Sequence, residues 1–281
     1  MLRELVGDEP VAGIETIVQA QPDILHLTNI DFDAGLVTLK ALQMQLADRG
    51  LSLDHSFARK PNTGMSTGLD IDGDGRRGGP RDAQGFGYFS GQGGQAVLSR
   101  FPLELTADKS DVTWSDLSHS LIAPDDPAGK VQRVSSSAHW AVTVKVNERA
   151  VTLLTLAATP PVFDGPEDRN GRRNHDEVLL WTYSLAQEPG LYKAPVVLIG
   201  NFNLDPIRGE GIHAAAKQVL SHPRLQDPLP DLPTVEWERV GEMRVSYVLP
   251  DKVLDVVDAK VMPLEPTAGP HRLVWVDVTL N

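Results

Sequence analysis

The sequence predicts an α/β fold of two packed sheets with helices outside, and three observations carry that expectation. Short apolar runs of strand length outnumber stretches with helical spacing. They fall as hairpins on both sides of the helical segments, a pattern that two stacked sheets satisfy. The run Val196 to Ile199 closes on Gly200 and continues as Asn201-Phe202-Asn203-Leu204-Asp205-Pro206. It reads as a buried strand that surfaces at its C-terminal end. With 281 residues, 41% of them hydrophobic, the chain can bury a full core. No repeat or linker divides it, so 1–281 is read as a single domain.

Val11, Ile14, Ile17 and Val18 recur at helical spacing, and Gln21-Pro22 ends that helix. Asp23 to Asn29 follows as a buried strand. Leu36, Leu39, Leu42, Gln43 and Leu46 mark the next helix, with Asp33 as N-cap and Gly50 as the stop. Residues 60–94 are crowded with Gly and Asp and form a long loop, a length that usually signals function. Gln95 to Ser99 is a strand turned by Arg100-Phe101-Pro102. Residues 108–135 read as a strand followed by a loop around Pro124 to Gly129. Ala138 to Val146 and Ala150 to Leu156 make a hairpin turning at Asn147-Glu148. Thr159 to Asn174 is a polar loop, and Glu177 to Gln187 a helix with Val178, Leu180, Trp181 and Leu185 inward. Ile212 to Leu220 is a short helix, 222–234 a Pro-rich loop, and Arg244 to Leu249, Val253 to Val261 and Leu273 to Leu280 are the closing strands.

Composition narrows the function classes. The formal charge of −12 repels nucleic-acid backbones, and no basic block offers a compensating groove. With no cysteine, disulfides and thiolate metal sites are excluded. No apolar run approaches membrane-spanning length, and Met1-Leu2-Arg3-Glu4 does not begin a secretory leader, so the chain is expected to be soluble. The five tryptophans fall in strand or helix contexts, which favours core packing over base stacking.

Several segments, in order, resemble the endonuclease/exonuclease/phosphatase superfamily, the fold of deoxyribonuclease I and its phosphatase relatives. Pro22 to Asp31 is similar to the family strand that ends in a metal-binding Glu. Gly94-Gln95-Ala96-Val97-Leu98-Ser99-Arg100-Phe101-Pro102 resembles its "G-x-A-x-L-S-R-x-P" strand. Ile199 to Pro206 resembles the "G-D-F-N-x-D-P" motif, Arg244 to Pro250 "R-[VI]-D-Y-[VI]-L", and Gly269-Pro270-His271 the closing "S-D-H". The segment Thr159 to Gly171 resembles a bacterial, often exported branch, which implies a periplasmic or extracellular location. The resemblance implies a four-layer α/β sandwich, with two mostly antiparallel sheets face to face and helices outside. It also implies metal-dependent phosphoester hydrolysis, in which carboxylates hold the metal and activate water while a His meets the developing charge.

The positions that would carry this chemistry have changed. The metal-binding Glu falls on Asn29, the central His on Ala157, and the Asp of "G-D-F-N" on Asn201. The Asp of "R-V-D-Y" falls on Ser246 and that of "S-D-H" on Pro270; Asn203 and His271 are retained. The first family strand has no counterpart, since Met1 to Pro10 resembles the loop after it. The fold then either tolerates the loss or takes the strand from a removed segment or a neighbouring chain, as in a strand-exchanging homodimer. Magnesium and manganese want carboxylate oxygens, so a catalytic ion is not expected here. The sequence therefore points to a pseudoenzyme that binds a phosphate-bearing small molecule or a protein partner, or that serves structurally. The rival is a phosphoesterase rebuilt on Asn29, Asn203, Asp205 and His271.

Two further constellations stand out. Asp70-Ile71-Asp72-Gly73-Asp74-Gly75-Arg76 has the D-x-D-x-D-G form of a calcium loop, with the Arg76 carbonyl as a further ligand. Arg81 occupies the place of the EF-hand's closing Glu, leaving Asp82 to complete the shell. Without an ion, the loop is simply an acidic turn. Arg169, Arg172 and Arg173, between Asp164 and His175, can bind an anion together with Asn203 and His271, or can pair with Asp164 and Glu167. Self-pairing is the favoured account.

Overall fold

The computed structural model describes residues 11–280; the reading of Met1 to Pro10 lies outside them. The chain runs α1 (Ile14–Ala20), β1 (Ile24–Ile30), α2 (Val37–Ala47), β2 (His55–Phe57), β3 (Gly94–Ser99), β4 (Leu103–Asp108), β5 (His139–Val146) and β6 (Arg149–Ala157). It continues through α3 (Arg169–Gln187), β7 (Val196–Asn201), α4 (Ala214–Leu220), β8 (Val235–Trp237), β9 (Gly241–Met243), β10 (Ser246–Pro250), β11 (Asp255–Val261) and β12 (Val274–Thr279).

The strands form a three-stranded sheet ordered β1-β3-β2 and a five-stranded sheet ordered β10-β7-β6-β5-β4, with separate hairpins β11-β12 and β8-β9. Every pairing is antiparallel except β6 with β7, which α3 connects as a crossover. Four layers result. Ile14, Leu39, Leu42 and Leu46 of α1 and α2 pack on Leu25 and Leu98 of the small sheet. Val97 meets Val144, Val151, Leu153 and Val197 between the two sheets. Val178, Trp181 and Leu185 of α3 and Ala215, Ala216 and Val219 of α4 cover Leu154, Leu156 and Leu198 on the far face of the large sheet. The sandwich with helices outside is thus observed.

Local expectations mostly hold at the strands. Asp33 caps α2 from a distance, accepting the Val37 and Thr38 N–H groups at 2.8 and 3.0 Å. Near the end of β7 lies Gly200, where φ is 152° and an added Cβ would lie 1.9 Å from the Leu156 carbonyl oxygen. Glycine is required there because β6 approaches so closely.

Several boundaries differ from expectation. The strand assigned to 108–135 lies earlier, at Leu103–Asp108, and the β8–β9 hairpin occupies residues 235–243, between the Pro-rich loop and the strand expected from Arg244. α3 begins at Arg169, inside the segment read as a polar loop. The reason is that its polar residues find donors and acceptors within the protein, several of them buried. Asn174 donates to the Thr159 and Phe202 carbonyls, both at 2.7 Å, and Asp176 accepts the Trp114 indole N–H at 2.7 Å. Trp114, Trp140 and Trp181 are core residues, as expected.

His139 is fully buried in β5. Its Nε2 faces the Glu177 carbonyl at 3.1 Å and Nδ1 faces the Ser135 hydroxyl at 2.9 Å. A carbonyl can only accept, so Nε2 carries the proton and the neutral ring is satisfied. Burial pushes its pKa down to about 4. The folded value lies below the unfolded value near 6.5, so stability is complete above pH 6.5 and falls as pH drops toward 4. Between pH 7 and pH 5 the expected loss is about 2 kcal/mol from this residue. Urea midpoints across that window should slope for the wild type and slope less in His139→Asn, with His26, also pushed down to about 4 by burial, supplying part of what remains.

Candidate functional site

The C-terminal ends of β1, β6 and β7, with the start of β10 and the approach to β12, border one cleft. Asn29, Ala157, Asn201, Asn203, Ser246 and His271 all line it, so the structure brings together the positions read from sequence. Pro270 stands beside it, its carbonyl accepting the Glu236 N–H at 2.9 Å.

Asn29 sits at the irregularity where β1 pairs with β3, with φ at 59° and its side chain exposed. Asn201 and Asn203 are tied to each other. The Asn201 side-chain amide donates to Asn203 Oδ1 at 3.0 Å, while Asn201 Oδ1 accepts the Asn203 backbone N–H at 2.9 Å. The Asn203 amide donates to the Ala158 carbonyl at 2.7 Å. These two side chains therefore shape the turn leaving β7. The Ser246 N–H donates to Thr234 Oγ1 at 2.9 Å. His271 packs against the Trp237 ring at 5.8 Å, nearly perpendicular. Loss of hydration on its packed face pushes its pKa below the usual histidine value. Among the described residues, no carboxylate is hydrogen-bonded to it.

At the strand tips the cleft presents amides, hydroxyls and one imidazole. A hard divalent cation needs anionic oxygen, and the residues present do not fit magnesium or manganese. Asp205 does not supply the missing charge. It is buried, with Oδ1 accepting the Ile207 and Arg208 N–H groups at 2.8 Å and Oδ2 accepting that of Arg244 at 2.7 Å.

The three arginines do not join Asn203 and His271. Arg169 pairs with Asp126 at 2.7 Å and lies over the Trp114 ring at 5.5 Å. The Arg172 guanidinium donates to the Glu167 carbonyl. Arg173 is 5% exposed and donates to the carbonyls of Gln84, Arg133, Val134 and Ser135.

Sequence reasoning missed the wall behind the cleft. Ser136, Ser137 and Thr159 line it, and fully buried Glu177 accepts the Ser136 N–H, Ser136 hydroxyl and Thr159 N–H at 2.6, 2.9 and 2.9 Å. Arg173, Glu177 and Trp181 fall four apart, and that spacing was a readable sign of a buried polar stripe.

The acidic loop places carboxylate oxygens of Asp70, Asp72 and Asp74 within 4.8 Å of one another. Asp70 Oδ2 accepts the Gly75 N–H at 2.9 Å, while its Oδ1 is buried with no hydrogen-bond partner. Gly75 has φ of 83°, the turn that D-x-D-G requires. The Arg76 N–H donates to Asp74 Oδ1 at 2.7 Å. Asp82 stands outside this group: it accepts the Ile71 and Gly79 N–H groups at 2.7 and 2.9 Å, which closes the loop and holds its pKa low.

The sequence pattern of the endonuclease/exonuclease/phosphatase family matches residues 8–268. The chain belongs to that family. Among solved structures, this family domain is similar to an endonuclease/exonuclease/phosphatase from Beutenbergia cavernae, with TM-score 0.63 and 17% identity over 96% of this chain and 68% of that one. The human Nocturnin catalytic domain with bound sulfate gives 0.52 and 17%, covering 95% and 84%. The 3′ phosphatase NExo from Neisseria, bound to product DNA hairpin, gives 0.52 and 18%, covering 95% and 93%. At these identities the likeness establishes the fold, while function depends on the site. No curated protein matches the sequence significantly.

Proposed function

We propose that this endonuclease/exonuclease/phosphatase-family domain has lost metal-dependent phosphoester hydrolysis and acts as a binding or structural module. The observation that carries the reading is the absence of carboxylates at the positions read from the family pattern: Asn29, Asn201, Asn203, Ser246 and His271 line the cleft where the fold gathers its strand tips. Hydrolysis of a phosphoester needs preorganised charge against the developing anion, and removing one such group costs roughly two to three orders of magnitude in rate. Losses within one catalytic unit do not multiply. The rebuilt-site alternative is weakened by Asp205, whose carboxylate is engaged by backbone N–H groups. The net charge of −12 disfavours nucleic acid as the ligand and leaves a phosphate-bearing small molecule or a protein. We assign calcium to Asp70, Asp72 and Asp74 as a structural ion, which suits work outside the cytoplasm.

The test is hydrolysis of bis(p-nitrophenyl) phosphate and p-nitrophenyl phosphate with magnesium, manganese or calcium. The expected rate equals that of His271→Ala and of buffer. Metal-dependent turnover that disappears in His271→Ala would establish an active hydrolase instead.

A further inference from the structure

The loop that leads into β3 displays three large aromatic side chains within four residues. Phe86, Tyr88 and Phe89 are 57, 76 and 52% exposed. Phe86 lines the cleft, and its ring meets that of Tyr88 edge to face, with centroids 5.6 Å apart and planes at 81°. The backbone beneath the rings is fixed. The Gly64 N–H donates to the Gly85 carbonyl at 2.8 Å, the Gly91 N–H to that of Thr63 at 3.2 Å, and the Phe32 N–H to that of Gly91 at 2.7 Å. A Cβ added at Gly64 would lie 1.9 Å from the Phe89 carbonyl oxygen, and one at Gly85 would lie 1.8 Å from that of Ser136. Backbone is packed on backbone there, so rings held this way lose little freedom when a ligand arrives. Clustered exposed aromatics mark recognition surfaces.

The polar groups beside the rings are unengaged. Asn29 stands at the end of the loop, 3.0 Å from where a Cβ on Gly93 would lie. Among the described residues, neither its side-chain amide nor the Tyr88 hydroxyl has a hydrogen-bond partner. Exposed Asp31 accepts the Gly93 N–H at 2.9 Å through one oxygen only. Rings, lone donors and a carboxylate on one strip specify a ligand with apolar rings, unpaired carbonyls and a cation. A proline-rich segment in the polyproline II conformation supplies the first two, since its rings pack on aromatic faces and no internal bond satisfies its carbonyls.

We infer that this strip binds a proline-rich segment of a second polypeptide, with Arg or Lys at the end beside Asp31. The inference names the partner for the binding role proposed above and rests on that reading. Asp31 and the net charge of −12 favour a basic flank. Unpaired Arg81 follows Pro80, whose carbonyl accepts the Gly87 N–H at 3.4 Å, so the cation belongs at the Asp31 end. A second copy of this chain is not the donor. Its own proline-rich stretch, Pro228 to Pro233, holds Asp231 at φ 62°, outside the polyproline II range.

The probe is the fluorescein-labelled peptide Arg-Pro-Leu-Pro-Pro-Leu-Pro, added to the full chain. Saturable anisotropy is expected. Alanine at every proline of the peptide removes the preformed conformation and should weaken binding about tenfold or more. Tyr88→Ala should also weaken it about tenfold or more, with melting unchanged because that side chain is exposed. Glu in place of the peptide's Arg should weaken binding about twofold to fivefold. No saturable binding overturns the inference, as does equal binding by the alanine peptide, by the Glu peptide or by Tyr88→Ala. So does saturable binding of single-stranded oligothymidylate with none of the peptide. Peptide binding alongside phosphoester turnover would discard the loss of hydrolysis and keep this surface, whereas neither binding nor turnover would do the reverse.

Discussion

Arg173→Met should lower the unfolding free energy by about 3–5 kcal/mol, the cost of removing one partner from a buried charged network. The guanidinium is enclosed between α3 and the segment 133–135 and donates to four carbonyls, those of Gln84, Arg133, Val134 and Ser135. Burial pushes its pKa down to about 10, so it remains a cation at neutral pH. Burial also raises the pKa of Glu177, one turn later, and the charge of Arg173 opposes that rise. Methionine fills much of the same volume but takes the donor from the Arg133 and Val134 carbonyls and the cation from beside Glu177, while the Gln84 and Ser135 carbonyls keep the side-chain amides of Gln132 and Asn62. Urea unfolding should show a lower midpoint at unchanged slope. Arg173→Lys should recover only part of the loss, because an ammonium cannot reproduce the planar fork. A methionine variant within about 1 kcal/mol of wild type would contradict the network's importance. The consequence reaches the site: Arg173 anchors the chain just before Ser136, a cleft residue, and Gln84, on the long glycine-rich loop.

Arg173 also marks where sequence reasoning lost the fold. The continuous apolar run Val196 to Ile199 placed β7 correctly, because the length of an apolar run is a local property; the need for glycine at 200 is not, since an added Cβ would meet the Leu156 carbonyl of β6. Asp33 was legible for the same reason: capping joins residues four and five apart. The start of α3 was not legible, since Arg169 to Asn174 reads as solvent-facing until its partners, distant in sequence, are known. Those partners lie 38 to 89 residues away for Arg173. At the candidate site, the sequence pointed to Asn29, Ala157, Asn201, Asn203, Ser246 and His271 but missed Ser136, Ser137 and Thr159 and added three arginines that lie elsewhere. It did not show that Asn201 and Asn203 bond each other, or that Asp205 is turned into backbone contacts. Such bonds depend on φ, which is 51° at Asn203, a conformation that asparagine tolerates but does not announce.

Calcium should raise the melting temperature, and chelation should reverse the change. Asp70, Asp72 and Asp74 hold carboxylate oxygens within 4.8 Å of one another, where their charges repel unless a cation lies between them. Each carboxylate also accepts a nearby backbone N–H, from Gly75, Asp74 and Arg76 respectively, so the loop is already wound. What those bonds leave over is Asp70 Oδ1, a buried acceptor with no partner. An unsatisfied buried charge is costly, and a hard, oxygen-seeking ion is the ligand that would satisfy it. At calcium near 100 times its Kd, the stabilisation is about 2.7 kcal/mol, or roughly 5–10 °C for a domain of this size. Magnesium should give a smaller shift, because its rigid octahedron suits this flexible acidic loop less well. Asp72→Ala should abolish the calcium shift while leaving melting in chelator nearly unchanged, since that side chain is exposed and accepts a single long bond of 3.3 Å. Identical melting in calcium and chelator would show that the turn works without an ion. A shift that persists in Asp72→Ala would place the ion elsewhere. If the loop does hold calcium, the ion stabilises the segment that leads into cleft-lining Phe86 and Gly93, which makes it a structural element of the rim rather than a participant in chemistry.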